Sequence, residues 1–149
     1  MKKGKGCLIA LVSFLVIIFG VMFLTRWAFS DHEFRYSSIE HWLFVDKEMD
    51  KLPLVGAKRT DVIYISEPSD GTKPPMTSMI YTTQSEPQKI LSVYKAYYDK
   101  LGYTLLSSDG PLKDHLLFKG KGIYEDIEIY IIPARKFGND VRVTYSVKL

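Results

Sequence analysis

Two stretches near the C-terminus, EDIEIYII at residues 125–132 and VRVTYSVKL at residues 141–149, decide the fold class of this chain. In each stretch, large apolar side chains alternate with charged, hydroxyl-bearing or tyrosine side chains. Successive side chains of a β-strand point to opposite faces, so this period of two predicts strands with one buried and one solvated face. Gly138 and Asn139 lie between the stretches and suit the positive φ of a tight turn. The two stretches therefore predict an antiparallel hairpin.

Four more strands and one covering helix are predicted upstream of this hairpin. β-rich runs separated by turn residues indicate the strands. They are residues 61–66, 78–83, 103–107 and 115–119. Ser85 to Gln88 matches a capping box with proline in the first helical turn, and Gly102 supplies a C-terminal stop. Short connections between strands favour antiparallel pairing, so the predicted fold class is α+β, with the 86–101 helix covering one face of the sheet.

The 86–101 helix has one apolar side at helical spacing, which we expect to pack on the sheet. That side consists of Ile90, Val93, Tyr94, Tyr97 and Leu101. Tyr98 and Leu91 fall toward the flank of this side, and Tyr98 is expected to be exposed.

A second amphipathic helix is predicted over residues 38–51, ending before Pro53. Its apolar positions are Ile39, Trp42, Leu43, Val45 and Met49. Because its polar face is mostly acidic and anionic lipid repels such a face, we expect the helix to pack on the domain rather than on a membrane surface. His41 is interpreted as an ordinary surface histidine.

The N-terminal stretch CLIALVSFLVIIFGVMFL, residues 7–24, contains no charged residue. As a helix it is about 27 Å long, close to the thickness of the hydrocarbon core of a bilayer. Arg26 and Trp27 follow at the depth where a cation and an amphipathic ring are stable at the membrane interface. The run is longer than the apolar part of a usual signal peptide, and no small-residue cleavage site follows it. We therefore expect a retained, single-pass anchor in a lipid bilayer rather than a cleaved leader.

Charge predicts how this anchor is oriented. Lys2, Lys3 and Lys5 precede the apolar run and account for the net charge of +3. Positive residues stay on the cytoplasmic side, so the N-terminus is predicted to be cytoplasmic and the C-terminal domain extracytoplasmic. The predicted division is a basic tail (1–6), a transmembrane anchor (7–29), a juxtamembrane segment with the amphipathic helix (30–60) and an α+β domain (61–149).

The part of the chain after the anchor is electrically neutral. Setting the three N-terminal lysines aside leaves 17 of the 20 basic residues against 17 acidic ones. A neutral domain lacks the basic surface of a nucleic-acid binder, so nucleic acid is excluded as a partner. The single cysteine, Cys7, lies at the edge of the anchor, so neither a disulfide nor a cysteine metal site is expected.

No motif for catalysis, cofactor binding or metal binding is recognised. Asp31, His32 and Glu33 are consecutive, and consecutive side chains point apart on a helix or a strand. The same holds for Asp114 and His115 in a predicted strand, and no G-x-S-x-G motif supplies a nucleophile. We therefore expect neither an enzyme nor a bound cofactor. An envelope enzyme whose site is assembled from distant residues is kept as an alternative.

Arg135, Lys136 and Phe137 are the best candidate contact with an envelope protein partner. They lie at the tip of the last predicted hairpin, where an aromatic residue beside two cations has little core to fill. The alternative is an exposed tip without a role. The oligomeric state is not indicated.

Two segments, KLPLVGAKRTDVIY at residues 51–64 and MIYTTQSEPQKILSVYKAYYDKLGYTLL at residues 79–106, carry a family resemblance. The matching residues are Pro53, Gly56, Ala57, Tyr81, Thr83, Tyr97, Tyr98, Leu101, Gly102 and Tyr103. This pattern resembles a widespread, largely uncharacterised type of bacterial membrane-anchored or lipoprotein domain. The resemblance implies a helix on an antiparallel sheet outside the cytoplasm and transfers no catalytic residue. Tyr103 stands where such domains often carry tryptophan.

The leader-like sequence MKKGKG, ending at Gly6, also resembles that of type IV pilin-like proteins. No glycine or proline lies between Val21 and Leu52, so this alternative implies one long helix across that span. It is disfavoured by the β-rich residues 34–36 and by Leu11, which occupies the position where pilins carry an acidic residue. The predicted function is therefore a single-pass membrane protein that presents a small domain for binding within the cell envelope.

Overall fold

The computed structural model describes residues 3–28, 30–69, 71, 73–108, 114–134 and 138–148, with side chains described from Leu11 onward except at Ala28. The chain divides into two compact units, Met1–Ser30 and Asp31–Leu149. The first unit contains one helix, and the second contains all of the described strands.

The first unit is helix α1, Lys3–Ala28. Its large apolar side chains from Leu11 to Leu24 are all exposed. Among the described residues, no helix has both the length and the hydropathy needed to cross a membrane. Strand structure begins at His32, soon after α1 ends, so the single long helix implied by the pilin-like alternative is wrong.

Seven strands and three helices are described in the second unit. The strands are β1 (His32–Arg35), β2 (Ile63–Glu67), β3 (Met76–Thr83), β4 (Thr104–Ser107), β5 (His115–Lys119), β6 (Tyr124–Pro133) and β7 (Asn139–Val147). The helices are α2 (Ile39–Phe44), α3 (Lys47–Asp50) and α4 (Pro87–Lys100), with a 3₁₀ turn at Arg59–Asp61. All six predicted strands are present, with ends that differ by a few residues. Residues 30–60, set apart above as a juxtamembrane segment, contribute β1, α2 and α3 to this unit.

The seven strands form one antiparallel sheet in the order β1-β2-β3-β7-β6-β5-β4. Strands β1 to β3 and strands β4 to β7 are two runs of sequential neighbours, joined where β3 pairs with β7. Helix α4 connects β3 in the interior of the sheet to β4 at one edge, so it passes over a face of the sheet. The α+β class with an antiparallel sheet is confirmed.

Five buried side chains on five neighbouring strands are paired directly and form one layer of the core. Tyr64 pairs with Met79, and Met79 pairs with Val143. Val143 pairs in turn with Ile129, and Ile129 with Leu116. All five side chains are buried. Because a slip by one residue would turn a whole strand's apolar set to the other face, the alternation in β6 and β7 specifies this register.

Helix α4 covers this layer, but with a different face from the predicted one. Its buried residues are Ile90, Leu91, Tyr94 and Tyr98. The expectation that Tyr98 and Leu91 lie toward an exposed flank is wrong, and Leu101, predicted to be buried, is exposed. The long side chain of Tyr98 explains the difference. Its ring packs against Phe118 with centroids 4.8 Å apart, and its hydroxyl lies 3.0 Å from the hydroxyl of Tyr145.

The ends of α4 agree with the sequence, but its N-terminus is capped differently. Pro87 is the first helical residue, and the N-cap Glu86 makes no side-chain hydrogen bond, so the predicted capping box is absent. Ser85 instead donates its backbone N–H to the Thr83 hydroxyl over 3.1 Å. At the other end, Gly102 adopts a φ of +72°, as expected of a helix stop.

The predicted helix over residues 38–51 is wrong as a single element, because the chain breaks at Asp46. Ser38 caps α2 by accepting the backbone N–H of His41 over 3.0 Å. Asp46 caps α3 by accepting the backbone N–H of Glu48 over 2.6 Å. An aspartate that binds the backbone two residues later competes with continuation of the helix. The local hydrogen bond of Asp46 therefore accounts for two short helices in place of one.

The apolar face predicted for this segment is largely on the solvent side. Ile39 and Trp42 are 76% and 80% exposed, whereas His41 is buried. The Nε2 atom of His41 lies 3.1 Å from the Asp50 carboxylate, and its ring packs edge-on against Tyr64. The interpretation of His41 as a surface histidine is therefore wrong, because the imidazole packs inward and the apolar side chains beside it point outward.

Candidate functional site

A cleft of about 290 Å³ opens between the α2–α3 break and the ends of β3, β6 and β7. Its walls are mostly apolar and include Leu43, Phe44, Val45, Ile123 and Val147. Leu43 and Ile123 are also the most exposed of these side chains. An apolar cleft with a few placed polar groups is the usual form of a small-molecule site.

The polar groups of the cleft include Asp46 and Tyr124. Tyr124 is 6% exposed, and its hydroxyl is buried. Burial raises the pKa of Tyr124, and a hydrogen bond to the Asp46 carboxylate raises it further, so the phenol stays protonated at neutral pH. Asp46 is exposed to solvent. The cleft thus combines apolar walls with a carboxylate that interacts with a buried phenol.

A β-bulge places Tyr124 in the cleft. The pairing of β6 with β7 shifts between Tyr124, which pairs with Val147, and Asp126, which pairs with Ser146. Simple alternation would put Tyr124 on the face opposite to Ile127. The extra residue of the bulge brings both side chains to the buried face.

Further tyrosines contact the residues that line the cleft. The rings of Tyr124 and Tyr145 meet edge-on with centroids 4.8 Å apart. The Tyr145 hydroxyl is held by Tyr98 over 3.0 Å, and the Tyr103 hydroxyl donates to the Glu48 carboxylate over 3.0 Å. These contacts link the cleft to α4 and α3, and they fix the position of Tyr145 without using the hydroxyl of Tyr124.

Exposed apolar side chains on α2 border the cleft. Ile39, Trp42 and Leu43 are separated by three and four positions, which makes them neighbours on one side of the helix. They are 76%, 80% and 51% exposed, respectively. We name these three residues the α2 patch. Leu43 belongs both to the α2 patch and to the wall of the cleft.

The opposite face of the sheet carries polar groups that bond to one another. The guanidinium of Arg142 donates to the Glu67 carboxylate over 3.0 Å and to the Ser78 hydroxyl over 3.1 and 3.2 Å. The hydroxyls of Ser78 and Thr144, both buried, are 2.9 Å apart. This network joins β2, β3 and β7, so we assign it a structural role.

The described part of the chain contains no group of three or more His, Cys, Asp or Glu residues able to hold a metal ion. His32 stacks on Phe44 with centroids 5.2 Å apart. His115 is buried and stacks on Tyr130 with centroids 4.4 Å apart, and among the described residues neither of its ring nitrogens has a hydrogen-bond partner. No carboxylate is hydrogen-bonded to His115, so the described geometry does not form a catalytic dyad there.

Two sets of residues are predicted from the sequence to contact a membrane or a partner. Arg26 and Trp27 lie in the last turn of α1, where Arg26 is exposed and Trp27 is half-buried. The predicted partner contact at Arg135, Lys136 and Phe137 lies outside the described residues.

The cleft itself is not predicted from the sequence. Asp46 lies within the helix predicted over residues 38–51, and Tyr124 directly precedes the predicted strand at 125–132. The sequence nevertheless contains a feature that marks each of these two residues. An aspartate inside a helical pattern is a candidate cap, and the glycines of residues 120–122 mark a turn after which the strand register is open.

No protein-family model, curated protein or solved structure matches this chain. The fold, the cleft and the α2 patch, together with the sequence, are therefore the basis for proposing a function.

Proposed function

We propose that this chain is a single-pass membrane protein that presents the domain Asp31–Leu149 as a binding module for a protein of the cell envelope. The exposure of the α2 patch is the observation on which the binding part of the proposal rests. Its centre, Trp42, is 80% exposed and lies beside Ile39 and Leu43. Contiguous exposed apolar surface marks contact sites, and tryptophan is enriched among the residues that dominate contact energy.

The anchor part of the proposal is supported by residues 7–24 and by the exposure of α1. The run has the length of a membrane span and contains no charge. A helix whose large apolar side chains are exposed on all sides needs an apolar surrounding. Lysines 2, 3 and 5 favour a cytoplasmic N-terminus, and this orientation supports an extracytoplasmic location for the domain. The family resemblance given above supports the same location.

The anchor proposal predicts that the full chain resists an alkaline carbonate wash of membranes. A variant with Val16→Arg and Phe19→Arg should be released, because each arginine near the centre of a span costs roughly 2.5–3.5 kcal/mol of insertion free energy. A Val16→Leu, Phe19→Leu variant is the control and should stay with the membrane. Recovery of the unaltered chain in the washed supernatant would contradict the anchor.

The chemistry around the α2 patch favours a protein partner over lipid. Four acidic residues, Glu40, Asp46, Glu48 and Asp50, lie in the same segment of the sequence as the patch. Acidic groups are repelled by anionic lipid headgroups, whereas a protein with an apolar centre and a basic rim complements them. We therefore assign the patch to a protein partner with these two properties.

A photoreactive amino acid at position 42 of the full chain should give a discrete protein adduct in intact membranes. The same probe at Lys95, an exposed residue of α4, is the control and should not give that adduct. With the probe moved to position 39, Trp42→Ala should weaken the adduct at least tenfold, since truncating a central aromatic contact costs about 2 kcal/mol or more. Adducts with lipid alone, or equal adducts from position 95, would overturn the assignment of the patch.

A further inference from the structure

We propose that the cleft between the α2–α3 break and β7 receives one large aromatic side chain, a phenylalanine or a tryptophan, from the protein partner that covers the α2 patch. This inference rests on the proposed function and adds to it a feature of the partner's surface. It is argued from the residue that the cleft shares with the α2 patch, from the apolar walls, and from polar groups that are already bonded within the domain.

The α2 patch and the opening of the cleft form one continuous surface. Leu43 belongs to the α2 patch, lines the cleft and is 51% exposed. Ile123 also lines the cleft and is 60% exposed, so it lies at the opening as well. A partner that covers Trp42 and Leu43 therefore also meets the opening of the cleft.

An empty cleft beneath such a partner would be a void of about 290 Å³ in the interface. The centres of stable interfaces are packed as densely as protein interiors. Atoms that line a void lose van der Waals contacts on one side. We therefore expect the partner to fill the cleft with a side chain of its own.

The polar groups of the cleft do not require a polar occupant, because they are bonded within the domain. The Asp46 carboxylate accepts the backbone N–H of Glu48 over 2.6 Å and a hydrogen bond from the Tyr124 hydroxyl. The Tyr145 hydroxyl lies 3.0 Å from the hydroxyl of Tyr98. The other lining residues are mostly apolar, so an apolar group is the occupant that the cleft favours.

The volume and the lining of the cleft favour an aromatic side chain over a small aliphatic one. A volume of about 290 Å³ is the share of liquid volume of about ten water molecules, since each occupies about 30 Å³. The side chains of phenylalanine and tryptophan approach this size, whereas alanine or valine would leave most of the cleft empty. The rings of Phe44, Tyr124 and Tyr145 line the cleft and can contact an inserted ring edge-on or offset.

The first test places a photoreactive amino acid at position 123 of the full chain in intact membranes. Because Ile123 lies at the opening, this probe should give an adduct with the same protein as the probe at position 42. Peptide mapping of the adduct should find a phenylalanine or a tryptophan beside the crosslinked residue. An adduct with lipid alone would mean that an acyl chain enters the cleft, and it would overturn the inference.

A substitution that fills the cleft from within should exclude the partner's side chain. Thr77 lines the cleft from β3, and Thr77→Phe introduces a ring there. With the probe at position 42, Thr77→Phe should weaken the protein adduct at least tenfold, because a side chain that fills a central pocket contributes a large share of the binding energy. Thr77→Val, which adds no volume, is the matched control and should leave the adduct unchanged.

Methyl NMR of the full chain in nanodiscs of zwitterionic lipid tests the cleft without the partner. N-acetyl-phenylalanine amide, a neutral probe that carries the aromatic side chain, should give saturable shifts at Leu43, Val45, Ile123 and Val147. The corresponding amide of alanine should not. Thr77→Phe should remove these shifts and leave the other methyl signals in place, which also shows that this variant is folded. If the variant does not fold, the comparison of the two amides on the unaltered chain decides the matter.

Two further results would overturn this inference alone: an adduct of full strength from position 42 in folded Thr77→Phe, or equal shifts with the two amides. The absence of any protein adduct from position 42 in the unaltered chain would instead overturn the proposed function. The two failures are therefore distinguishable.

Discussion

Above about pH 10 the domain Asp31–Leu149 is expected to unfold within roughly two pH units, because its buried tyrosines cannot ionise in place. Tyr81, Tyr94, Tyr98 and Tyr145 are at most 2% exposed. Burial raises the pKa of each of them above the ordinary value of 10.0. Their hydroxyls are paired, Tyr81 with Tyr94 at 3.1 Å and Tyr98 with Tyr145 at 3.0 Å.

In the unfolded chain these phenols lose their protons near pH 10, whereas in the folded domain they keep them. The folded state then binds more protons, so the free energy of unfolding is highest below pH 10 and falls as the pH rises. The effects of these groups act in the same direction over the same pH range, and the total stability of many small domains is only about 5–15 kcal/mol. Burial and a neighbouring carboxylate raise the pKa values of Tyr103 and Tyr130 to about 12. We therefore expect the unfolding transition to be complete by about pH 12.

The measurement follows tyrosinate absorbance and circular dichroism of the full chain in a non-ionic detergent. Both signals should change together in one transition. A variant with Tyr98→Phe and Tyr145→Phe removes two of the phenols, so its transition should move to higher pH. Tyr36→Phe, at an exposed tyrosine, is the matched control. Titration of all ten tyrosines near pH 10 with unchanged circular dichroism would contradict this account.

Tyr98→Ala is expected to destabilise the domain by about 3–5 kcal/mol, the usual cost of deleting a fully buried aromatic side chain. Tyr98 has no exposed surface, packs on Phe118, and leaves the Tyr145 hydroxyl unpaired when it is removed. Tyr98→Phe should cost less, about 1–3 kcal/mol, because only the hydroxyl pair is lost.

The adjacent Tyr97 supplies the control, because it is only partly buried. Tyr97→Ala should cost clearly less than Tyr98→Ala in urea denaturation of the full chain. Equal losses for the two substitutions would mean that α4 does not present Tyr98 to the sheet.

The sheet is predictable from the sequence because its strands follow a period of two and its turns contain glycine, proline or asparagine. Each of the six predicted strands is present. β1 is not predicted, because its sequence, HEFR, contains a single large apolar residue, Phe34. Its place is set by pairing with β2 rather than by its own pattern.

The helix faces are less predictable than the helices. In α4, helical spacing identifies an apolar side. The buried side differs from it by part of a turn, because Tyr98 packs inward and its hydroxyl bonds to that of Tyr145. In the segment 38–51, hydropathy alone would bury Trp42, yet His41 is the residue that packs inward, with Asp50 as its partner. A polar residue with a tertiary partner overrides a periodic pattern that is otherwise sound.

The candidate site depends on two local irregularities, which explains why it is hidden in the sequence. The Asp46 cap divides one helix into two, and the bulge at Tyr124 changes the face of one residue. Neither feature repeats along the chain, so neither appears in the periodic pattern of apolar residues from which the helices and strands are predicted. The sequence therefore offers only a candidate cap at Asp46, and the bulge is recognised only when the pairing of β6 with β7 is known.

The strand order has a consequence for how the protein is made. β7 is synthesised after the other six described strands, and it is the fourth of seven in the sheet, between β3 and β6. Until residues 139–147 are synthesised, β3 and β6 both present open edges, which are templates for aggregation. A chain that lacks residues 139–147 therefore exposes both edges, and truncation before residue 139 leaves two half-sheets without the strand that joins them.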